Sequence, residues 1–200
     1  AGWSTTMEES SPNGAELTRG ASMIVNERDN REKQAWDIAE KMMVAARTAP
    51  KGKGVDIIEC AVVDGDDKQR LADEMRAIAE EKGFKFFLRD ASNVEAAQCV
   101  MLVGTREQAQ GLDCCHCGFA TCAERTPGVP CAINSVDVGI ALGSACSKAA
   151  DYRVDSRILF SAGLAAQRLG ILEDCKQVYA IPVSIASKSP FFDRKTPAGK

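Results

Sequence analysis

The amino-acid sequence predicts an α/β or α+β domain with about four strands and five helices. Three observations lead to this prediction. Stretches with helical periodicity and short β-rich apolar runs are interspersed along the chain. Two helical stretches follow one another between Asn134 and Gly170, which disfavours a strictly alternating Rossmann sheet. No Gly-x-Gly-x-x-Gly follows a predicted strand, so nothing in the sequence points to a dinucleotide site.

The spacing of apolar residues places each element. Apolar residues that recur every three or four positions indicate amphipathic helices, and short β-rich runs indicate buried strands. Strands are expected over residues 55–63, 84–88, 99–104 and 178–186. Helices are expected over residues 27–49, around the apolar stripe at 71–79, over 92–97, and at two places after Cys131. Pro50 and Gly83 end the first two helices, and Pro182 favours an edge or bulge position for the last strand.

Cap residues and a glycine pair mark the two helices after Cys131. Asn134 or Ser135 is expected to cap the first of them, and Asp155 the second. The first also contains Gly139-x3-Gly143, a spacing that favours a close helix–helix crossing because two missing side chains let backbones approach. We expect this crossing within the chain or across a dimer.

Composition limits the classes of function. The chain has 200 residues, of which 45% are apolar, and a formal net charge of −3. This charge argues against nucleic acid or an anionic membrane as partner, and no apolar stretch approaches the ~20 residues that span a bilayer. Nine cysteines, an odd number, indicate a reducing cytoplasm. Residues 1–22 are expected to be a leader or a remnant of expression, and residues 23–200 one domain with a metal loop at 113–131.

Five of the nine cysteines lie between positions 114 and 131. The run from Cys114 to Cys122 is Cys-Cys-His-Cys-Gly-Phe-Ala-Thr-Cys, and Cys131 follows after two prolines. A tight Cys-x2-Cys turn, a third cysteine shortly after it and a fourth from further away can deliver four thiolates to one centre. The expected ligands are Cys114, Cys117, Cys122 and Cys131, with Cys115 as an alternative to Cys114.

The spacing of these cysteines bears on which metal they bind. Structural zinc modules usually present two separate knuckles about 12 to 20 residues apart, whereas three ligands here crowd into nine residues. The spacing therefore favours a [4Fe–4S] cluster, and structural zinc remains the alternative. His116 is the only histidine in the sequence, and it is expected to neighbour the metal centre rather than ligate it.

The remaining four cysteines occur singly in apolar runs. Buried free cysteine is common as a small hydrophobic residue. We therefore expect core positions for Cys60, Cys99, Cys146 and Cys175.

A second candidate site is the basic loop Lys51-Gly52-Lys53-Gly54. With Arg47 one turn earlier and Arg194 near the C-terminus, its lysines and exposed amides could hold a phosphate. The alternative is a solvated basic turn.

Residues 27–195 resemble a family of uncharacterised prokaryotic proteins with a ferredoxin-like 4Fe–4S domain. The resemblance lies in Ala45-Ala46-Arg47-Thr48-Ala49-Pro50, Cys114-Cys115-His116-Cys117-Gly118-Phe119, Asp151-Tyr152-Arg153-Val154-Asp155 and Pro190-Phe191-Phe192-Asp193-Arg194. The Cys-x2-Cys-Gly-x3-Cys core is also similar to the cluster motif of corrinoid iron–sulfur proteins. Both similarities imply a cluster without naming a reaction.

A weaker resemblance is to the FMN-dependent nitroreductases. It rests on residues 45–50 with the strand that follows them, on Leu164-Ala165-Ala166-Gln167-Arg168-Leu169-Gly170, and on the strand at Ile181-Pro182. It implies an α+β fold with an α/β sandwich, a homodimer, and FMN at the subunit interface. Where that family has Ser and Asn after the proline, this chain has Lys51 to Gly54.

The expected function is that of a cytoplasmic iron–sulfur redox protein that transfers electrons to or from an unidentified redox partner or small-molecule substrate. A non-enzymatic zinc protein and an FMN-dependent flavoenzyme are the alternatives. No catalytic triad, paired acid motif or Walker loop in the sequence identifies a substrate.

Overall fold

The structure is a computed structural model that describes residues 24–192. These residues form five α-helices, one short 3-10 turn and four strands. The helices are α1 (Glu27–Thr48), α2 (Gly65–Lys82), α3 (Lys85–Ala96), α4 (Ala132–Asp151) and α5 (Phe160–Arg168). The strands are β1 (Ile58–Val63), β2 (Cys99–Arg106), β3 (Asp155–Ser156) and β4 (Cys175–Ser184).

The strands form one antiparallel sheet in the order β1-β2-β4-β3. Successive side chains of a strand point to opposite faces, and helices cover both faces. α1 and α4 pack on the face that carries Ile58, Met101, Val103 and Ile181. α2, α3 and α5 pack on the face that carries Val100, Leu102, Val178 and Ala180. The protein is therefore a three-layer α+β domain, and the α+β fold class is confirmed.

The expected strand at residues 84–88 is wrong, because these residues begin α3. The run contains Phe84, Phe86, Phe87 and Leu88, and a short apolar run of this kind fits a buried strand as well as a helix. The buried residues of α3 include Phe87, Ala91 and Val94, whose spacing of four and three is helical. This longer periodicity outweighs the local β propensity.

Asp155 does not cap a helix, and this expectation is also wrong. Asp155 and Ser156 form the short strand β3, which pairs with Ser184 and Val183 of β4. The following helix starts at Phe160, after Leu159 has made a bridge to Ala180. A strand of two residues carries too little periodicity to be seen in a sequence.

Pro182 lies in β4, which is not an edge strand. The strand beyond β4 is only the two-residue β3, and the register places Arg157 opposite Pro182 between β3 and the Leu159 bridge. Proline has no N–H to donate to that neighbour, so the ladder is interrupted there. The proline thus occupies a position where the outer strand is incomplete.

The expected crossing at Gly139 and Gly143 is not found within the described chain. A Cβ atom built on either glycine meets no heavy atom within 4 Å, and both residues are exposed. α4 instead packs on α1 through its alanine-rich face, where the Ser144 hydroxyl donates to the Ala45 carbonyl at 2.8 Å. A crossing in a dimer stays a prediction.

No helix in the described part of the chain is long and apolar enough to span a membrane.

Candidate metal centre

The five clustered cysteines lie on or at the end of one irregular segment, residues 107–131, which we call the cysteine loop. It leaves the central strand β2 after Arg106 and enters α4 at Ala132. Both ends are therefore fixed by the packed sheet and helix layers. Pro127 and Pro130 lack the N–H that regular structure needs, so the return to Cys131 stays irregular.

Asp113 closes the first half of the cysteine loop. Its Oδ1 accepts the backbone N–H of Cys122 at 2.6 Å, and this bond joins two positions nine residues apart. Between them, Gly118 N–H donates to the Cys115 carbonyl in a turn, with φ of +61° at Cys115 and +88° at Gly118. The left-handed backbone suits Gly118 because it has no Cβ.

The Cys115 thiol points back into this turn. Its Sγ lies 3.4 Å from the carbonyl oxygens of both Asp113 and Ala120. An S–H at this position can donate to these carbonyl oxygens of its own loop. This contact bears on which of Cys114 and Cys115 is available as a ligand.

Arg125 and Glu107 close the second half of the cysteine loop. Arg125 Nη1 lies 3.1 Å from Glu107 Oε1 and also donates to the Val129 carbonyl. The same Glu107 oxygen accepts the Gly128 N–H at 3.2 Å. The hydrogen bond from Arg125 and that from Gly128 hold the pKa of Glu107 below its ordinary value. The ion pair fastens the return limb to the end of β2.

Cys131 occupies the N-cap position of α4 and is buried, with 6% of its surface exposed. Burial raises the pKa of its thiol, but backbone N–H groups of Gln110, Asn134 and Ile133 and the charge of Arg125 outweigh this effect. The pKa of Cys131 therefore lies below its ordinary value. Amide hydrogens directed at a thiolate, at the positive end of a helix, are an environment that stabilises an anionic sulfur ligand.

The N-cap of α4 is Cys131, and the prediction of Asn134 or Ser135 at that position is wrong. Asn134 and Ser135 lie inside the first turn, since the helix begins at Ala132. Asn134 Nδ2 donates to the Gln108 carbonyl at 2.6 Å, and Asn134 Oδ1 accepts Gln110 Nε2 at 2.9 Å. Asn134 thus fixes the first limb of the cysteine loop against the helix.

The other cysteines of the loop are more accessible than Cys131. Cys115 is exposed, and Cys114, Cys117 and Cys122 are half-buried. Within residues 24–192, no three or more His, Cys, Asp or Glu side chains are arranged to hold a metal ion. The thiols lie in one loop without converging on one point, so a cluster would order this segment as it binds.

The chemistry of the residues present fits an iron–sulfur cluster. Thiolates are the ligands that such clusters use, and hydrogen bonds to the sulfurs stabilise them. The backbone N–H groups near Cys131 lower the pKa of its thiol, and Arg125 Nε is a buried donor without a partner among the described residues. Both features favour a negatively charged group in this loop. The ligand set itself stays a prediction.

The single cysteines are part of the two cores. Cys99 and Cys175 are buried, and Cys60 and Cys146 are half-buried against the α1–α4 core. Burial raises the pKa of the Cys60 and Cys175 thiols to about 11 in each case, and it also raises those of Cys99 and Cys146. Their expected role as core residues is confirmed.

These pKa directions predict selective alkylation of the folded, metal-free protein. At pH 8 we expect iodoacetamide to modify the exposed Cys115, while Cys60, Cys99 and Cys175 stay unmodified because their thiolate forms are scarce. Mass spectrometry of timed digests measures this order, and the unfolded chain is the control in which all sites react. Labelling of Cys175 as fast as Cys115 would contradict the assignment.

The basic loop has protein partners for each described cation. Lys51 Nζ donates to the Ala49 carbonyl at 2.8 Å and to two further carbonyls at the end of α1. Arg47 Nη1 pairs with Asp56 at 2.7 Å. Lys53 Nζ donates to the Gln110 carbonyl at 3.0 Å. These side chains cap a helix and brace the cysteine loop.

Carboxylates also surround this loop. Gly52 N–H donates to both oxygens of the buried Asp137 at 3.0 Å, and Glu59 lies 3.8 Å from Arg47. The predicted phosphate site at Arg47, Lys51 and Lys53 therefore stays a prediction without a free cationic cradle among these residues. Arg194 lies outside the described residues.

Asp113, Glu107, Gln110 and Arg125 are site residues that sequence reasoning missed. Their roles depend on how the loop folds back on itself, which brings residues nine to twenty-one positions apart into contact. One signal was present in the sequence, since Arg125 is the only Lys or Arg between positions 107 and 131. A lone cation in a cysteine loop is a candidate partner for a negative centre.

We expect Asp113→Ala to open the first half of the cysteine loop. The bond from the Cys122 N–H to a carboxylate is charge-assisted, a type that contributes about 1.5 to 3 kcal/mol. Hydrogen exchange at the Cys122 amide should accelerate by at least about tenfold, since 1.4 kcal/mol corresponds to a factor of ten. Asp113→Asn keeps an acceptor oxygen and should lie between the two. Equal exchange in all three proteins would show that this bond does not hold the loop.

Comparison with known proteins places the fold. A nitroreductase with bound FMN from Desulfitobacterium hafniense superimposes with a TM-score of 0.53 at 15% identity, over 76% of this chain and 78% of that one. A nitroreductase family protein from Clostridium novyi gives a TM-score of 0.50 at 14% identity, over 74% and 73% of the two chains. At this identity the likeness shows the fold alone, and the nitroreductase-like α+β fold is confirmed.

Sequence comparison places the family. A profile of the family described as uncharacterized protein containing a ferredoxin domain matches residues 127–194, which include Cys131 and begin after Cys122. An uncharacterized protein of Archaeoglobus fulgidus is 39% identical over 182 residues, which span 86% of this chain and 98% of that protein. The chain belongs to the family of uncharacterized proteins that contain a ferredoxin domain.

Proposed function

We propose that this protein is an iron–sulfur redox protein that holds one [4Fe–4S] cluster in the cysteine loop and transfers one electron at a time. The observation that carries the proposal is Cys131, a buried residue at the N-cap of α4 whose thiol pKa is lowered by the neighbouring backbone N–H groups. Four more cysteines lie within the preceding seventeen residues of the same loop. The family's ferredoxin description and the nitroreductase-like fold agree with a redox role.

The proposed ligands are Cys114, Cys117, Cys122 and Cys131. Cys115 is the alternative to Cys114, and its contacts favour Cys114. The Cys115 thiol lies 3.4 Å from two carbonyl oxygens of its own loop and would have to leave them to bind a cluster. The turn at Gly118 and the Asp113 bond to Cys122 keep the middle cysteines close to the first limb.

A cluster at this place would supply one-electron chemistry, and the chain's residues would set its potential. The reduction potential would depend on the backbone N–H groups near Cys131 and on the burial of that sulfur. It would also depend on the charges of Arg125 and Glu107. The electron donor and acceptor are a redox protein or a small molecule, both outside the chain.

Anaerobic reconstitution tests the proposal. The protein is incubated with ferrous iron and sulfide, desalted, and examined by visible absorption and by EPR after reduction with dithionite. We expect a broad absorption band near the blue end of the visible spectrum that bleaches on reduction. The reduced protein should give an S = 1/2 EPR signal that corresponds to one spin per chain. A protein that stays colourless under these conditions would contradict the proposal.

FMN is the second candidate, and it comes from the fold likeness to a nitroreductase that binds FMN. The described cations of the basic loop already donate to protein oxygens, so we assign no step to a flavin. A flavin spectrum from protein reconstituted with FMN, together with a dimer in analytical ultracentrifugation, would favour this candidate. Bound zinc without sulfide would favour the structural alternative.

A further inference from the structure

Arg125 has an unusual environment for a cation. Its side chain is 12% exposed, although the loop around it is largely open to solvent. Nη1 donates to Glu107 and to the Val129 carbonyl, while Nε is buried and has no hydrogen-bond partner among the described residues. Only two other buried side-chain atoms in residues 24–192 share this condition.

A buried donor without a partner is costly. Leaving such a group unsatisfied costs its desolvation free energy, which is larger when the group is charged, so each case needs an explanation. Arg125 cannot lose its proton to relieve the cost. An acceptor that is present only when the loop is occupied would explain it.

The position of Arg125 identifies the type of acceptor. The residue lies between Cys122 and Cys131 in sequence, and its Nη1 donates to the Val129 carbonyl two residues before Cys131. Its carboxylate partner Glu107 is held on the other side by Gly128 N–H. One cation and one anion are thus held together at the return limb that leads to Cys131.

We propose that Arg125 is a redox-tuning residue that donates its free Nε–H to the bound iron–sulfur cluster and raises the cluster's reduction potential, while Glu107 lowers it. This inference rests on the proposed function. Reduction adds one electron from an external reductant to the cluster, and no covalent bond forms or breaks. Because the added charge is negative, a nearby cation favours the reduced state and a nearby anion favours the oxidised state.

The test compares Arg125→Gln with Glu107→Gln in protein reconstituted with iron and sulfide. Each substitution breaks the same ion pair, so a purely structural role would move both proteins in the same direction. We expect Arg125→Gln to shift the one-electron equilibrium by about tenfold toward the oxidised cluster, a fall of about 59 mV in midpoint potential. Glu107→Gln should shift it toward the reduced cluster. Spectroelectrochemical titration measures both values.

Arg125→Lys separates charge from hydrogen bonding. It keeps the positive charge and loses the Nε–H, so its potential should lie between those of the wild type and Arg125→Gln. If Arg125→Gln does not retain a cluster, Glu107→Gln and Arg125→Lys decide the matter. Shifts of the same sign in the two Gln variants, or no shift in either, would overturn the inference. A wild type that takes up no cluster would instead reject the proposed function.

Discussion

Gly163→Ala is expected to destabilise the protein by at least about 3 kcal/mol, because a core position that cannot accept a methyl group forces the backbone to move. Gly163 lies in α5 and is buried against β4. A Cβ atom at this position would be 1.8 Å from the Val178 carbonyl oxygen and 2.8 Å from Tyr179 N. Both atoms are backbone of a central strand, so no side chain can turn aside.

Gly139→Ala is the matched control, since it makes the same change in another helix. A Cβ atom at Gly139 meets nothing within 4 Å. Alanine favours a helix interior over glycine by about 1 kcal/mol, so this variant should be unchanged or slightly more stable. Urea unfolding followed by circular dichroism measures both free energies of unfolding. A Gly163→Ala protein as stable as the wild type would show that α5 does not press on β4 as described.

Cys117→Ser is expected to abolish the [4Fe–4S] cluster. Cys117 sits on the turn that Gly118 closes, between the two limbs of the cysteine loop. A serine hydroxyl is a hard, mostly protonated ligand that iron–sulfur clusters rarely accept in place of a thiolate. After anaerobic reconstitution, the iron and sulfide bound per chain should fall at least about tenfold, because loss of a residue that only hydrogen-bonds to a ligand can already weaken metal binding that much.

Two other serine variants complete this experiment. Cys146→Ser changes a half-buried cysteine of α4 whose thiol is paired with Ser156, and it should keep the full cluster. Cys115→Ser should keep the cluster as well, because Cys114 is the proposed ligand. Loss of the cluster in Cys115→Ser but not in Cys114→Ser would reverse this ligand assignment. Full cluster in Cys117→Ser would remove the loop as the binding site.

Most of the layer architecture could be predicted from the sequence. α1, α2, β1, β2 and β4 each carry one clear periodicity over many residues, and proline or glycine marks several of their ends. The errors occurred where the pattern was short or ambiguous. Four of the five residues 84–88 are apolar and suit a strand or a helix, and β3 has only two residues.

The candidate site was only half predictable. Cysteine spacing identified the loop and predicts four sulfur ligands in it, since ligand chemistry depends on residue type. The residues that shape the loop were missed because their roles depend on contacts between distant positions in the sequence. Asp113 meets the Cys122 N–H, and Lys53 reaches the Gln110 carbonyl fifty-seven positions away. No local pattern encodes such pairs.

In the basic loop, the residue pattern suggested a binding site, but the folded chain gives the lysines protein partners. Lys51 and Lys53 are as suited to a phosphate as to a carbonyl when only their type and spacing are known. In the folded chain they donate to the end of α1 and to the cysteine loop. Their charge therefore helps to build the candidate metal centre, a role that depends on where α1 ends relative to β2.

The iron and acid-labile sulfide content of protein purified without air tests the central claim most directly. Binding of one [4Fe–4S] cluster predicts about four iron atoms and about four sulfides per chain, with little zinc. Stoichiometric zinc without sulfide, or FMN as the only bound redox group, would contradict it.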